Sequence, residues 1–174
     1  MLTNFFFGCI IHPSNRGIPR KNQGCNMIIA FAGHSFISSS NRVKEVVKEQ
    51  IMDSIIEVAN VTCYLGGYGD FDGICANACR ELKQEYNRIE LVYVTAYISL
   101  SEQAKIAEMQ RCGLCDTSIY PPIENVPLRF AISKRNEWMM TNADLIIAYI
   151  SRNYGGAYKS LQVAKRKNKK IINV

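Results

Sequence analysis

Five short apolar runs, spaced by stretches of helical periodicity, constrain this chain more than any other feature. The runs are Ile28 to Ala32, Val61 to Leu65, Ile89 to Tyr97, Asp144 to Ile150 and Ile171 to Val174. Between the first two, Val43, Val46, Val47, Ile51 and Ile55 fall on one helix face, with Ser40 or Asn41 placed to cap it. After the second run, Cys75, Cys79, Leu82 and Tyr86 share a face. Leu128 to Met140 reads as a third long helix, and Gly155-Gly156 opens a last one with Ala157, Leu161 and Ala164 inward. Residues 98–126 are less regular and end in Tyr120-Pro121-Pro122, where proline argues against helix. The third run is apolar at nearly every position, as in a strand covered on both faces. Strands that alternate with helices predict a parallel sheet with right-handed crossovers. The expected fold is therefore α/β, a Rossmann-like three-layer sandwich with a mainly parallel sheet of about five strands.

The chain has 174 residues, enough for one domain with a real core. Its first 26 residues, turn-rich after a short apolar stretch, read as an extension, disordered or owed to start-codon choice. The domain is expected to span 27–174. No cation precedes the Phe5–Ile11 stretch, so it is a poor secretory signal, and no apolar run approaches the length of a membrane helix. Seven cysteines, an odd number without framework spacing, suit reduced thiols and a cytoplasmic protein. Cys112-x-x-Cys115 alone is weak support for metal or redox chemistry, and no metal or cofactor is expected.

The formal net charge is +6. Residues 1–26 hold three cations and no acid, and Lys165, Arg166, Lys167, Lys169 and Lys170 add five more, which leaves residues 27–164 at −2. The basic run lies near a helix end, where cations complement the dipole. On this balance nucleic acid is an unlikely partner, and no membrane partner is expected.

Three strand ends carry glycine turns: Gly33-His34-Ser35, Gly66-Gly67-Tyr68-Gly69 and Gly155-Gly156-Ala157. Glycine lets backbone approach a ligand closely, and a helix N-terminus behind it favours an anion. All three belong at the carboxyl edge of the sheet, where such folds bind ligands. There is no P-loop, and Gly67-x-Gly69-x-x-Asp72 places aspartate where a dinucleotide fingerprint needs its third glycine. Asp72 is suited instead to a sugar hydroxyl or a helix cap. His34 reads as a candidate acid or phosphate donor, or as an exposed turn residue. Arg135, in Lys134-Arg135-Asn136, could clamp a phosphate. Asp144 needs a partner if buried, and Arg135 is a candidate.

These residues in this order resemble the SLOG superfamily, which includes the Smf DNA-processing proteins and the LOG phosphoribohydrolases. They are most similar to small bacterial YpsA-like members. The resemblance is carried by Ala32-Gly33-His34-Ser35, by Tyr64 through Asp72, by Ile119-Tyr120-Pro121, by Arg129-Phe130-Ala131-Ile132, by Lys134 through Met139, by Asp144 and by Gly155-Gly156-Ala157. It implies a nucleotide or nucleotide-derived ligand at the carboxyl edge of the sheet, in a sensor or regulatory role. The ligand-binding set is then Gly33, His34, Ser35, Gly66, Gly67, Gly69, Asp72, Arg135, Asn136, Gly155 and Gly156. It also implies pairing into a homo-oligomer through helices. One alternative is LOG-like hydrolysis of the N-glycosidic bond of nucleoside 5′-monophosphates. Arg135 and Asp144 match the LOG arginine and aspartate, but Gln162 stands where the LOG glutamate belongs. A neutral amide cannot take a proton, so Asp70 or Asp72 would have to replace it beside Arg135. Whether the site is catalytic stays open. A DNA-binding module is the other alternative.

Overall fold

A computed structural model describes residues 25–174, and the expectations about residues 1–24 lie outside the described residues. The elements run β1 (Asn26–Gly33), α1 (Ser40–Glu57), β2 (Asn60–Leu65), α2 (Asp70–Glu85), β3 (Ile89–Val94), α3 (Leu100–Arg111), β4 (Thr117–Ile119), α4 (Leu128–Asn142), β5 (Leu145–Tyr149), α5 (Gly155–Arg166) and β6 (Lys170–Asn173). One six-stranded sheet has the order β4-β3-β2-β1-β5-β6, and every pair in it is parallel. This is the expected Rossmann-like α/β sandwich with one strand more. The first strand begins at Asn26 rather than Met27, and the amide of Ala59 donates to the Cys25 carbonyl.

Alternation along each strand divides the core into two layers. Ile29, Phe31, Cys63, Leu65, Leu91 and Ile147 face α1 and α2. There Val47, Ile51, Phe71, Cys75, Cys79 and Leu82 complete a large cluster. Cys63, Cys75 and Cys79 are packed in this core as small apolar groups, and burial pushes the Cys75 and Cys79 thiols well above the usual range. On the other face Ala30, Ala32, Val92, Val94 and Ile146 meet Met139, Met140, Val163 and Ala164 of α4 and α5. Tyr64 stacks on Trp138 there, with ring centroids 5.5 Å apart.

The stretch read as irregular holds a helix and a strand. α3 buries no residue, so it has no apolar stripe to show in the sequence. Its signal is the start box Ser99-x-x-Glu102, in which the Ser99 hydroxyl accepts from the Glu102 amide at 3.2 Å. Glu102 does not reciprocate: its carboxylate accepts from Tyr93 and Thr95 instead. β4 is three residues long and pairs with β3 alone, too short for periodicity to reveal. At α1 the cap position falls on Ser39, not Ser40 or Asn41, and no side chain caps it. Among the described residues no helix is long and apolar enough to cross a membrane.

The order of the sheet places β1 between β2 and β5, so the chain leaves β1 on one side and returns on the other. That reversal opens a crevice at the carboxyl ends of β1 and β5. The glycine turns border it.

Candidate functional site

The crevice is a cavity of about 380 Å³. It brings together Gly33, His34, Ser35, Gly66, Asp72, Arg135, Asn136, Gly155 and Gly156. Gly67 and Gly69 fall on its far side and border a neighbouring hollow with Tyr93 and Arg80. Asp70 lines neither: its carboxylate accepts from the Ile37 amide at 3.2 Å, and its own amide donates to the Ser35 carbonyl. It ties the first turn to the start of α2. Of the positions compared with the LOG enzymes, Arg135 lines the cavity, while Asp144 and Gln162 lie elsewhere. Asp144 is exposed at the opposite, amino edge of the sheet, where it accepts from the Ile28 amide, and so is not the partner of Arg135. Gln162 lies outside the cavity, in a groove between α4 and α5.

The first turn is shaped by packing. A Cβ on Gly33 would stand 2.3 Å from the Phe71 ring, so only glycine lets α2 close on β1. His34 is a latch between turns: its Nε2 accepts from the Ser151 and Arg152 amides at 3.1 and 3.2 Å. Nε2 is thereby engaged as an acceptor between two turns and offers no donor to a ligand from that nitrogen.

The second turn is filled by the protein's own charges. Arg135 reaches up from α4 and is only 1% exposed. Its Nη1 donates to the carbonyls of Gly66 and Val94, at 2.7 and 2.8 Å. These are the carbonyls at the ends of β2 and β3. Its Nε is buried with no hydrogen-bond partner, and Tyr68 covers the guanidinium at 5.2 Å. Asp72 accepts from the Tyr68 amide at 2.9 Å. Burial pushes the Asp72 carboxyl up, an effect opposed by that amide and by the Arg135 charge. Burial also lowers Arg135, which still stays protonated. A Cβ on Gly66 would lie 2.6 Å from Arg135 Nη1 and 2.8 Å from the Asp72 carboxylate.

The last turn is open. Gly155 has φ near +90°, and nothing lies within 4 Å of a Cβ on Gly155 or Gly156. α5 starts there with no side-chain cap and no acid in its first turn, and carries Lys165 and Arg166 in its last. Its free amides and positive dipole end face the cavity beside Arg152. Such a helix start favours an anion.

Sequence reasoning missed the rim. Phe36, Tyr154 and Tyr68 line the cavity and are 73%, 65% and 42% exposed. Each sits in or beside a glycine turn: Ser35-Phe36, Gly67-Tyr68-Gly69 and Tyr154-Gly155. An aromatic at every turn was the available signal. Large rings that stay in water around a cavity offer flat surfaces for stacking.

No family model matches this chain, and no curated protein matches it. Solved structures do. DNA processing protein A from Helicobacter pylori, described for its single-stranded DNA binding mode, is similar with a TM-score of 0.55 at 14% identity, over 83% of this chain and 63% of that one. DNA processing protein A (DprA) from Streptococcus pneumoniae gives 0.56 at 14% identity, over 83% of this chain and 49% of that one. The chain thus spans between about half and under two thirds of these proteins. The expectation from net charge that nucleic acid is an unlikely partner is corrected by them, since a protein of this architecture holds single-stranded DNA. Net charge over residues 27–164 is an average, and binding depends on where cations gather. At this identity the likeness establishes the architecture: the chain has the Rossmann-like fold of the DNA processing proteins.

Proposed function

We propose that the protein binds single-stranded nucleic acid at the carboxyl edge of its sheet. The observation that carries this is the rim: three exposed aromatics surround a cavity whose floor holds a buried arginine and an uncapped helix start. A phosphate group sits against the α5 amides and Arg152. Bases unstacked from the strand lie on Phe36, Tyr68 and Tyr154, a sequence-tolerant mode worth about 1–3 kcal/mol per base. The single-stranded DNA bound by the Helicobacter pylori neighbour and the Smf proteins of the SLOG resemblance support the same reading. SLOG membership and YpsA-like kinship are part of this proposal.

A free nucleotide presents the same chemistry as one unit of a strand, and a cavity of about 380 Å³ suits one such unit. Fluorescence anisotropy separates the two. Labelled oligothymidylate is expected to bind, with affinity that falls as salt rises, and duplex DNA of equal length to bind far less. Phe36→Ala with Tyr154→Ala should weaken the single strand at least tenfold. Displacement of the strand by mononucleotides at lower concentration than by oligomers would favour the nucleotide sensor. Failure of any single strand to bind sinks the proposal.

A further inference from the structure

The cavity continues beyond the sheet edge. Ile132, Asn136, Gly156 and Ser160 line it and also line a second hollow, of about 690 Å³, that runs outward between α4 and α5. α4 brings Arg129 and Lys134 to this groove, and α5 brings Lys159 and Arg166. Its one lining acid, Glu137, is paired with Lys134 at 2.8 Å. That lysine, above all, holds the Glu137 carboxyl below its ordinary range. Among the described residues Arg129, Lys159 and Arg166 have no ion-pair partner. All three are exposed. A strip of exposed like charges is unfavourable alone and complementary to a polyanion.

The structure assigns the α4–α5 groove, we infer, as the track along which the strand leaves the cavity. One nucleotide unit occupies the cavity, and the sugar–phosphate backbone beyond it passes between Arg129 on one wall and Lys159 and Arg166 on the other. This rests on the single-strand reading of the cavity. A second copy of the chain is the rival occupant. Two-fold pairing through this groove would bury the unpaired cations Arg129, Lys159 and Arg166 of both copies in one interface, which charge complementarity disfavours.

The test uses the full chain and two labelled probes, thymidine 5′-monophosphate and a thymidine dodecamer, each titrated at several salt concentrations. The mononucleotide reaches only the cavity; the dodecamer also fills the groove. Lys159→Gln combined with Arg166→Gln is expected to lower dodecamer affinity at least tenfold. The dependence of log affinity on log salt should fall by about 1.4 for the dodecamer, since two phosphate contacts are lost. The mononucleotide should bind the variant as it binds the wild type. Equal loss for both probes, or no loss for either, overturns the track. So does a variant that turns a dimer into a monomer in sedimentation while keeping its hold on the dodecamer. If the wild type binds neither probe, the cavity reading itself fails and the track with it, a result distinct from the others.

Discussion

The second and the last glycine turns sit at the same edge of one sheet and lead into helices of the same kind, yet they have opposite fates. Behind Gly66, α2 carries Asp70 and Asp72 in its first turn, and Arg135 lies against the glycine from below. Every strong charge there has a protein partner in reach, except the orphaned Arg135 Nε. Behind Gly155, α5 carries no acid and no cap, and the space over both glycines is empty. One turn has become part of the scaffold; the other has kept the anion-binding capacity that a helix start provides. Two motifs of equal appearance thus separate into a filled and an open one by what surrounds them.

Removing Arg135 attacks the filled turn most directly. Arg135→Met should cost about 3–5 kcal/mol in urea unfolding, because two buried carbonyls lose a charged donor and Asp72 loses its nearest cation. A cost under 1 kcal/mol would mean that the second turn is not scaffold. Next in size, the two glycines should respond with opposite signs. Gly66→Ala is expected to destabilise by about 1–3 kcal/mol through the clash with Nη1, whereas Gly156→Ala in the open turn should be neutral or stabilise by up to about 1 kcal/mol. Equal effects would erase the contrast.

A third change makes the open turn resemble the filled one. Ala157→Asp places an acid in the first turn of α5. It should raise stability by about 0.3–1 kcal/mol and reduce oligothymidylate binding at least tenfold, read by anisotropy beside a melt. Retained binding would place the phosphate elsewhere. The smallest effect is one of pH. Asp72 has a folded carboxyl raised above its ordinary value. The folded state therefore holds that proton more tightly than the unfolded chain. Its ionised form is penalised fully above the raised value, and the penalty is relieved as pH falls towards the ordinary aspartate value. Between those two values wild-type stability should decline with rising pH relative to Asp72→Asn. Parallel urea midpoints of the two proteins across the acidic range would refute this.

How much of this was legible in the sequence follows from how local each signal is. The five apolar runs were found because a buried parallel strand is apolar almost throughout. α3 and β4 escaped because one has no fully buried residue, only Ile106 and Met109 partly packed on the core, and the other is three residues long. Most of the site residues were legible as glycine turns and a cation, but their sorting was not. Asp70 and Asp72 look alike in sequence, and only one lines the cavity. His34 offers itself as an acid, and its acceptor nitrogen is already taken by two amides 117 and 118 residues away. The rim aromatics were in plain sight beside each glycine, unrecognised because an isolated aromatic usually means core.

The sequence by itself determined the alternation of strands and helices, hence the parallel sheet and the edge at which its glycine turns collect. Periodicity and turn chemistry act over a few residues, so one dimension is enough to read them. Only the tertiary structure decided which turn is occupied, by bringing Arg135 to a carbonyl 69 residues away. Only it placed the cations of α4 and α5 on facing walls of one groove, which no summed charge reveals. Charge satisfaction is a property of neighbours in space, and the fold chooses those neighbours.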